Sequence, residues 1–172
     1  MEGLKCKIQD LLVSSFLCKE QRFEEKDEQV QMSVPIVADN VKYMLYSFDV
    51  RAKKGESGVF PFFKKNEGNC TMCDYILFCE DSHSQLYVLL VELKKGKESV
   101  TKQLAAGECF AKFVVDTLNR VRKSTLCPIY RKIAIRALHL KPKPKTKIKP
   151  VDYKDNVYTF KGHSFYLQEF LK

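Results

Sequence analysis

The chain has 172 residues, 45% of them hydrophobic and 12% aromatic with no Trp, enough apolar mass for one ordinary domain and too much for a disordered chain. Its net charge of +9 points to polyanionic partners, nucleic acid before an acidic membrane surface. No apolar run of about 18 residues occurs, and the first ten residues lack the apolar stretch of a signal peptide, so a cytoplasmic protein with no membrane partner is expected.

In chain order, Leu4, Ile8, Leu11, Leu12 and Phe16 recur at helical spacing and predict an amphipathic helix over residues 2–19. Residues 20–40 are polar and acidic and define no element. Residues 43–51 alternate as a strand, with Met44, Tyr46, Phe48 and Val50 on one side, and residues 53–58 read as a turn. Two apolar segments, residues 74–79 and 86–94, flank the polar stretch 80–85 and predict a hairpin. Ser99 is placed to cap a long helix ending near Val121, with Val100, Leu104, Ala111, Val114, Val115 and Leu118 as its packing stripe. Gly107 in that stripe would permit close approach to the sheet. Residues 132–140 predict a further strand, and residues 157–167, with Lys161-Gly162 inside, a terminal hairpin. The pattern is α/β, a mixed central β-sheet flanked by helices, in a single domain spanning residues 1–172.

The hairpin carries the chemistry. Folded symmetrically about His83, it places residues whose numbers add to 166 opposite each other, so Asp74 faces Glu92 with Cβ atoms roughly 5 Å apart. Lys94, two residues beyond Glu92, projects to the same face. Both faces are otherwise apolar, which predicts a sheet covered on both sides. Two carboxylates and an ammonium at the end of a buried hairpin suit a divalent metal and a phosphate. The plainer alternative is a Lys–carboxylate cluster at an exposed sheet end, which stabilises by roughly 0–1 kcal/mol.

Charge is unevenly spread. Residues 94–149 hold 16 Lys and Arg against three acids, a balance of +13 that leaves −4 for the rest of the chain. Lys141, Lys143, Lys145, Lys147 and Lys149 alternate with prolines in a basic loop over residues 141–150, extended enough to follow a phosphate backbone. Arg120, Arg122, Lys123, Arg131 and Lys132 could extend that surface, and a solvated connector is the alternative. Seven cysteines, an odd count, read as reduced thiols. Cys70 and Cys73 have zinc-like spacing but no second pair, so two buried thiols are favoured over a metal site. His83, His139 and His163 are isolated and read as turn or surface residues.

Cys73-Asp74 opening one strand, Val91-Glu92-Leu93-Lys94 ending the next, and Lys102-Gln103-Leu104 at the start of a helix resemble the PD-(D/E)XK nuclease superfamily. The similarity is closest to its compact RecB-like and restriction-endonuclease-like members. It covers roughly residues 43–140 in arrangement, at four diagnostic positions, with Cys73 where Pro is usual. The resemblance implies a restriction-endonuclease-like core and a Mg²⁺- or Mn²⁺-dependent endo- or exonuclease acting on DNA before RNA. Asp74, Glu92 and the Leu93 carbonyl would hold the metal, with Glu20 as a further acid for which Asp10 and Glu24 also compete. Lys94 would orient the attacking water or neutralise the phosphate, and Gln103 would position Lys94 or the nucleic-acid backbone. Lys95, Lys97, Lys102 and the five loop lysines would bind nucleic acid. Cutting both strands of a duplex would favour a homodimer or larger nuclease complex. The alternatives are a nuclease fold that has lost its chemistry and serves as a nucleic-acid-binding subunit or adaptor, and a basic protein–protein adaptor.

Overall fold

The structure, a computed structural model, describes residues 4–27, 30–48, 60, 62–64, 68–137, 153 and 156–172. The expected turn at 53–58 and the basic loop at 141–150 lie outside these, as do Glu28, Val50, Arg51, His139 and Leu140.

Helix α1 (Leu4–Leu11) is followed by a 3-10 turn at Ser14–Phe16, so the helix expected over residues 2–19 stops early. Two serines after Val13 compete with the helix for backbone hydrogen bonds. Leu17 then bridges to Tyr46, which turns the chain into extended backbone. Residues 20–40 are not irregular. They form β1 (Arg22–Asp27) and β2 (Val30–Val37), an antiparallel pair with Phe23 opposite Val34 and Glu25 opposite Met32. Strands β3 (Lys42–Tyr46), β4 (Tyr75–Glu80) and β5 (Leu86–Lys94) form an antiparallel meander. The β3 strand is shorter than expected, yet Met44, Tyr46 and Phe48 share one core as the alternation requires.

Helix α2 (Thr101–Arg122) crosses from β5 to β6 (Ile129–Arg136), which runs parallel to β5, and β7 (Val157–Phe160) runs parallel to β6. The central sheet therefore has the order β3-β4-β5-β6-β7 and is mixed, as expected. Ser99 does not cap α2. Val100 occupies the cap position without a side-chain hydrogen bond, and Ser99 Oγ makes only a long 3.4 Å contact with the Thr101 N–H. The predicted stripe Leu104, Ala111, Val114, Val115 and Leu118 is buried against Ile76, Phe78, Val88 and Leu90. Gly107 belongs to that stripe, and a Cβ there would overlap the Sγ of Cys73.

The opposite face of the sheet is covered by a β-layer, with the 3-10 helix Leu167–Phe170 packed into the same core. Leu77, Leu89, Val91, Ile133 and Ile135 pack against Phe23, Met32, Val34 and Ile36 of the β1-β2 pair. This second sheet gains β8 (Phe165–Tyr166), parallel to β2. The expected terminal hairpin is therefore absent, because β7 and β8 belong to different sheets. Phe160 and Phe165 both enter the core between the sheets, their rings 5.3 Å apart, and the Lys161-Gly162 turn carries the chain from one layer to the other. Among the described residues α1 and α2 cover one face of the central sheet, and the β-layer with the 3-10 helix Leu167–Phe170 covers the other.

The C-terminal end of α2 is held by Asn119. Its Oδ1 accepts from the Leu126 N–H (2.8 Å) and the Ser124 hydroxyl (3.1 Å), and its Nδ2 donates to the Leu126 carbonyl (3.0 Å). Lys123 in the left-handed conformation closes the helix. Asn119→Ala strands these half-buried groups and is expected to cost about 1.5 kcal/mol, a Tm fall of roughly 3–6 °C in a thermal melt.

Candidate active site

Hairpin register decides which side chains meet at the end of β4 and β5. Tyr75 pairs with Val91 and Phe78 with Val88, the symmetric register about His83. The turn is set by Asp81, whose Oδ1 accepts from the backbone N–H of His83 (2.9 Å) and Gln85 (2.8 Å), with Ser84 left-handed at φ 63°. One rung beyond Tyr75 and Val91, Asp74 comes level with Glu92. The Asp74 Oδ2 accepts a 2.5 Å hydrogen bond from the Leu93 N–H, which fixes its carboxylate against β5. A strand residue directs its N–H and C=O to the same edge, so the Leu93 carbonyl also lies on the Asp74 side.

Glu92 is 3% exposed, the one charged residue among the described buried ones. Lys94 Nζ lies 2.7 Å from Glu92 Oε1 and keeps 23% of its side chain exposed, so the pair opens towards solvent on the lysine side. Burial, the largest single influence on Lys94, lowers its pKa. The Glu92 hydrogen bond and the charges of Glu92, Asp74 and Glu25 outweigh it, and the net shift is upward. Lys94 is thus held cationic. The buried Cys73 thiol is pushed far up, first by desolvation and then by Glu92 and Asp74. The thiol that meets Gly107 thus feels the charge of both carboxylates.

Beyond β5 the loop is braced rather than left open. Arg136, opposite Lys94 on the parallel β6, donates from Nη1 to the Gly96 carbonyl at 2.7 Å. Glu98 Oε2 accepts from the Gly96 N–H at 3.0 Å. Hydrogen bonds from its own and the Gly96 backbone, with Lys94 and Arg136 nearby, hold the Glu98 carboxyl below its usual range. This loop delivers Lys95, half-buried, and Lys97, exposed, to the same end of the sheet, followed by Lys102 and half-buried Gln103 in the first turn of α2.

Other expected residues lie elsewhere. Glu20 is 62% exposed and pairs with Arg22 at 3.0 Å, while Asp10 pairs with Arg122 at 3.0 Å. Lys132 pairs with Glu108 at 2.6 Å and Arg131 donates to the Lys172 carbonyl at 2.7 Å, while the loop whose surface they were expected to extend lies outside the described residues. Cys70 is half-buried and Cys73 buried, and both are free thiols. Lys141, Lys143, Lys145, Lys147 and Lys149 lie outside the described residues.

Two residues at the site escaped the sequence reading. Arg136 was hidden because register between parallel strands separated by a helix cannot be counted from sequence. Glu25 shares the core-facing side of β1 with Phe23, acts on the Lys94 charge, and has a buried Oε2 without a hydrogen-bond partner among the described residues. The alternation of Val30, Met32, Val34 and Ile36 was the signal that could have revealed its strand pair.

Among the described residues no three His, Cys, Asp or Glu side chains gather as a metal group, while Asp74 and Glu92 both act on the charge of Lys94. Two carboxylates and a strand carbonyl are an oxygen-only donor set, which suits a hard divalent cation that keeps waters or phosphate oxygens in its remaining positions. Comparison of the chain with family models, curated proteins and solved structures finds no significant match.

Proposed function

We propose that the chain is a metal-dependent phosphodiester hydrolase with a restriction-endonuclease-like core, acting on DNA before RNA. The observation that carries this reading is that Asp74, just before β4, accepts from the Leu93 N–H and, with buried Glu92 of β5, acts on the ammonium of Lys94, 2.7 Å from Glu92. The strand–strand–helix order through β4, β5 and α2, with Gln103 in the first helical turn, supports it. Asp74 and Glu92, with the Leu93 carbonyl, would hold Mg²⁺ or Mn²⁺. That ion would supply a bound water of lowered pKa and offset charge on the phosphate.

The remaining work falls to the chain itself. Lys94, kept protonated by its acidic neighbours, presents a compact positive charge to a phosphate oxygen. The Leu93 N–H holds Asp74 in one orientation, and Arg136 holds the Gly96 loop, so the charged groups need little reorganisation when substrate arrives. Lys95, Lys97 and Lys102 flank the site and attract the backbone.

The test is a panel of labelled single-stranded, duplex and branched DNA and RNA with Mg²⁺, Mn²⁺ or chelator. Cleavage that requires the divalent ion is expected. A second reading, a nucleic-acid-binding subunit that lacks the chemistry, is favoured by the absence of a three-carboxylate group among the described residues. It predicts salt-sensitive binding that is indifferent to chelator, and no cleavage with either ion.

A further inference from the structure

Large apolar residues are exposed together at one place outside the site. Phe62 is 74% exposed and Phe63 47%, in a turn closed by the Phe63 N–H donating to the Phe60 carbonyl at 3.2 Å. Their rings lie 4.7 Å apart at 68°, and both contact Phe60. Phe60 packs edge-on against Phe110 of α2 at 5.9 Å, and Phe110 against buried Phe48 at 4.7 Å. One turn further along the helix Phe113 is 67% exposed. The outer rings are thus rooted in the core through an unbroken line of aromatic contacts. Leaving a Phe in water forgoes the gain of burying it, and a cluster that does so marks a contact surface.

The patch is tied to the candidate active site. Phe110 lies three residues from Gly107, which seats against Cys73, the neighbour of Asp74. Asn69 Nδ2 donates to the Lys64 carbonyl at 3.1 Å, linking the Phe turn to the segment that leads into Asp74. Exposed Lys64 follows Phe63 directly. The exposed apolar surface here is phenylalanine, with an ammonium beside it, in a chain of net charge +9. Ring faces next to positive charge are what a nucleic-acid base and its phosphate require, and every base offers a π-face.

We propose that Phe62 and Phe63 form a stacking platform for unpaired bases, which makes single-stranded nucleic acid the substrate class. This rests on the reading of Asp74, Glu92 and Lys94 as a site for a nucleic-acid backbone. A single strand engaged at Asp74 runs past α2 to the Phe turn, where its bases leave solvent for the exposed rings. A duplex keeps its bases stacked internally and gains nothing there.

The test separates binding from chemistry. Fluorescence anisotropy in chelator compares the wild type with a Phe62→Ala/Phe63→Ala double variant on a single-stranded oligonucleotide and on the matching duplex. Both side chains are exposed, so the variant keeps its fold, checked by circular dichroism. Single-strand affinity is expected to fall on the order of tenfold, with duplex affinity changed less than about twofold and an unaltered salt slope. Because the chain has no Trp, Phe63→Trp supplies a lone indole whose emission should be quenched by the single strand and not by the duplex. Equal losses on both ligands, unchanged binding, or no binding by the wild type would overturn the platform. So would a dimer of the wild type that dissociates in the double variant, which would assign the patch to a second copy. Metal-dependent cleavage that persists alongside unchanged binding would sink the platform alone, whereas Phe-dependent binding without any cleavage would sink only the hydrolase.

Discussion

Glu92→Gln and Asp74→Asn are each expected to lower divalent-dependent cleavage by on the order of 10²–10³-fold in single-turnover assays. Each change removes a charge and nearly preserves the shape. Asn at 74 can still accept from the Leu93 N–H, so the hairpin end keeps its geometry while losing a hard anionic donor. Glu20→Gln should stay within about twofold, because that carboxylate is spread in solvent and paired with Arg22. Glu25→Gln should fall between these, since it acts through the charge balance at Lys94 rather than as a member of the Asp74 and Glu92 pair. Wild-type rates in both the Glu92 and Asp74 variants would falsify the assignment. If the Glu20 change proved the damaging one, the acidic cluster would have to be rebuilt around β1.

How much of this was legible depends on whether partners are close in sequence. The β4-β5 hairpin was readable because its turn is short and both strands alternate, so counting outward from His83 gives the observed pairs. The packing stripe of α2 was readable for a similar reason, since a 22-residue helix repeats its pattern often enough to define a face. Residues 20–40 defeated the reading because β1 is mostly charged. Among its described side chains only Phe23 joins the core, and the strand exists because β2 and the central sheet cover that side. Tertiary packing, not propensity, decides it. β7 and β8 failed differently, since nothing local in Phe160 or Phe165 says that the two strands serve different sheets. The same blindness to sheet assignment hid Glu25, while Arg136 was hidden by the uncounted register of β5 and β6, and both act at Lys94 from elements remote in sequence.

Lys94→Met should destabilise the protein by about 2–4 kcal/mol, read from urea midpoints at neutral pH. The reason lies less in the lost attraction than in what is left behind. Glu92 is 3% exposed, and its Oε1 loses an ammonium 2.7 Å away. A carboxylate in that position cannot be rehydrated without opening the end of the hairpin. Adding Glu92→Gln to Lys94→Met should therefore recover at least about 1 kcal/mol, because a neutral amide no longer needs the missing cation. The pH dependence carries its own sign. The pKa of Lys94 is raised above its ordinary 10.5, so its contribution is complete below that value and disappears as pH climbs through the raised pKa. Wild type and Lys94→Met should differ by a constant amount through neutral pH and converge above about pH 10.5, the ordinary lysine value. Strict additivity of the two changes would mean that lysine and carboxylate are energetically independent. In that case the short contact would be a loose surface pair, and the charge concentrated at this sheet end would have no structural reason to be there.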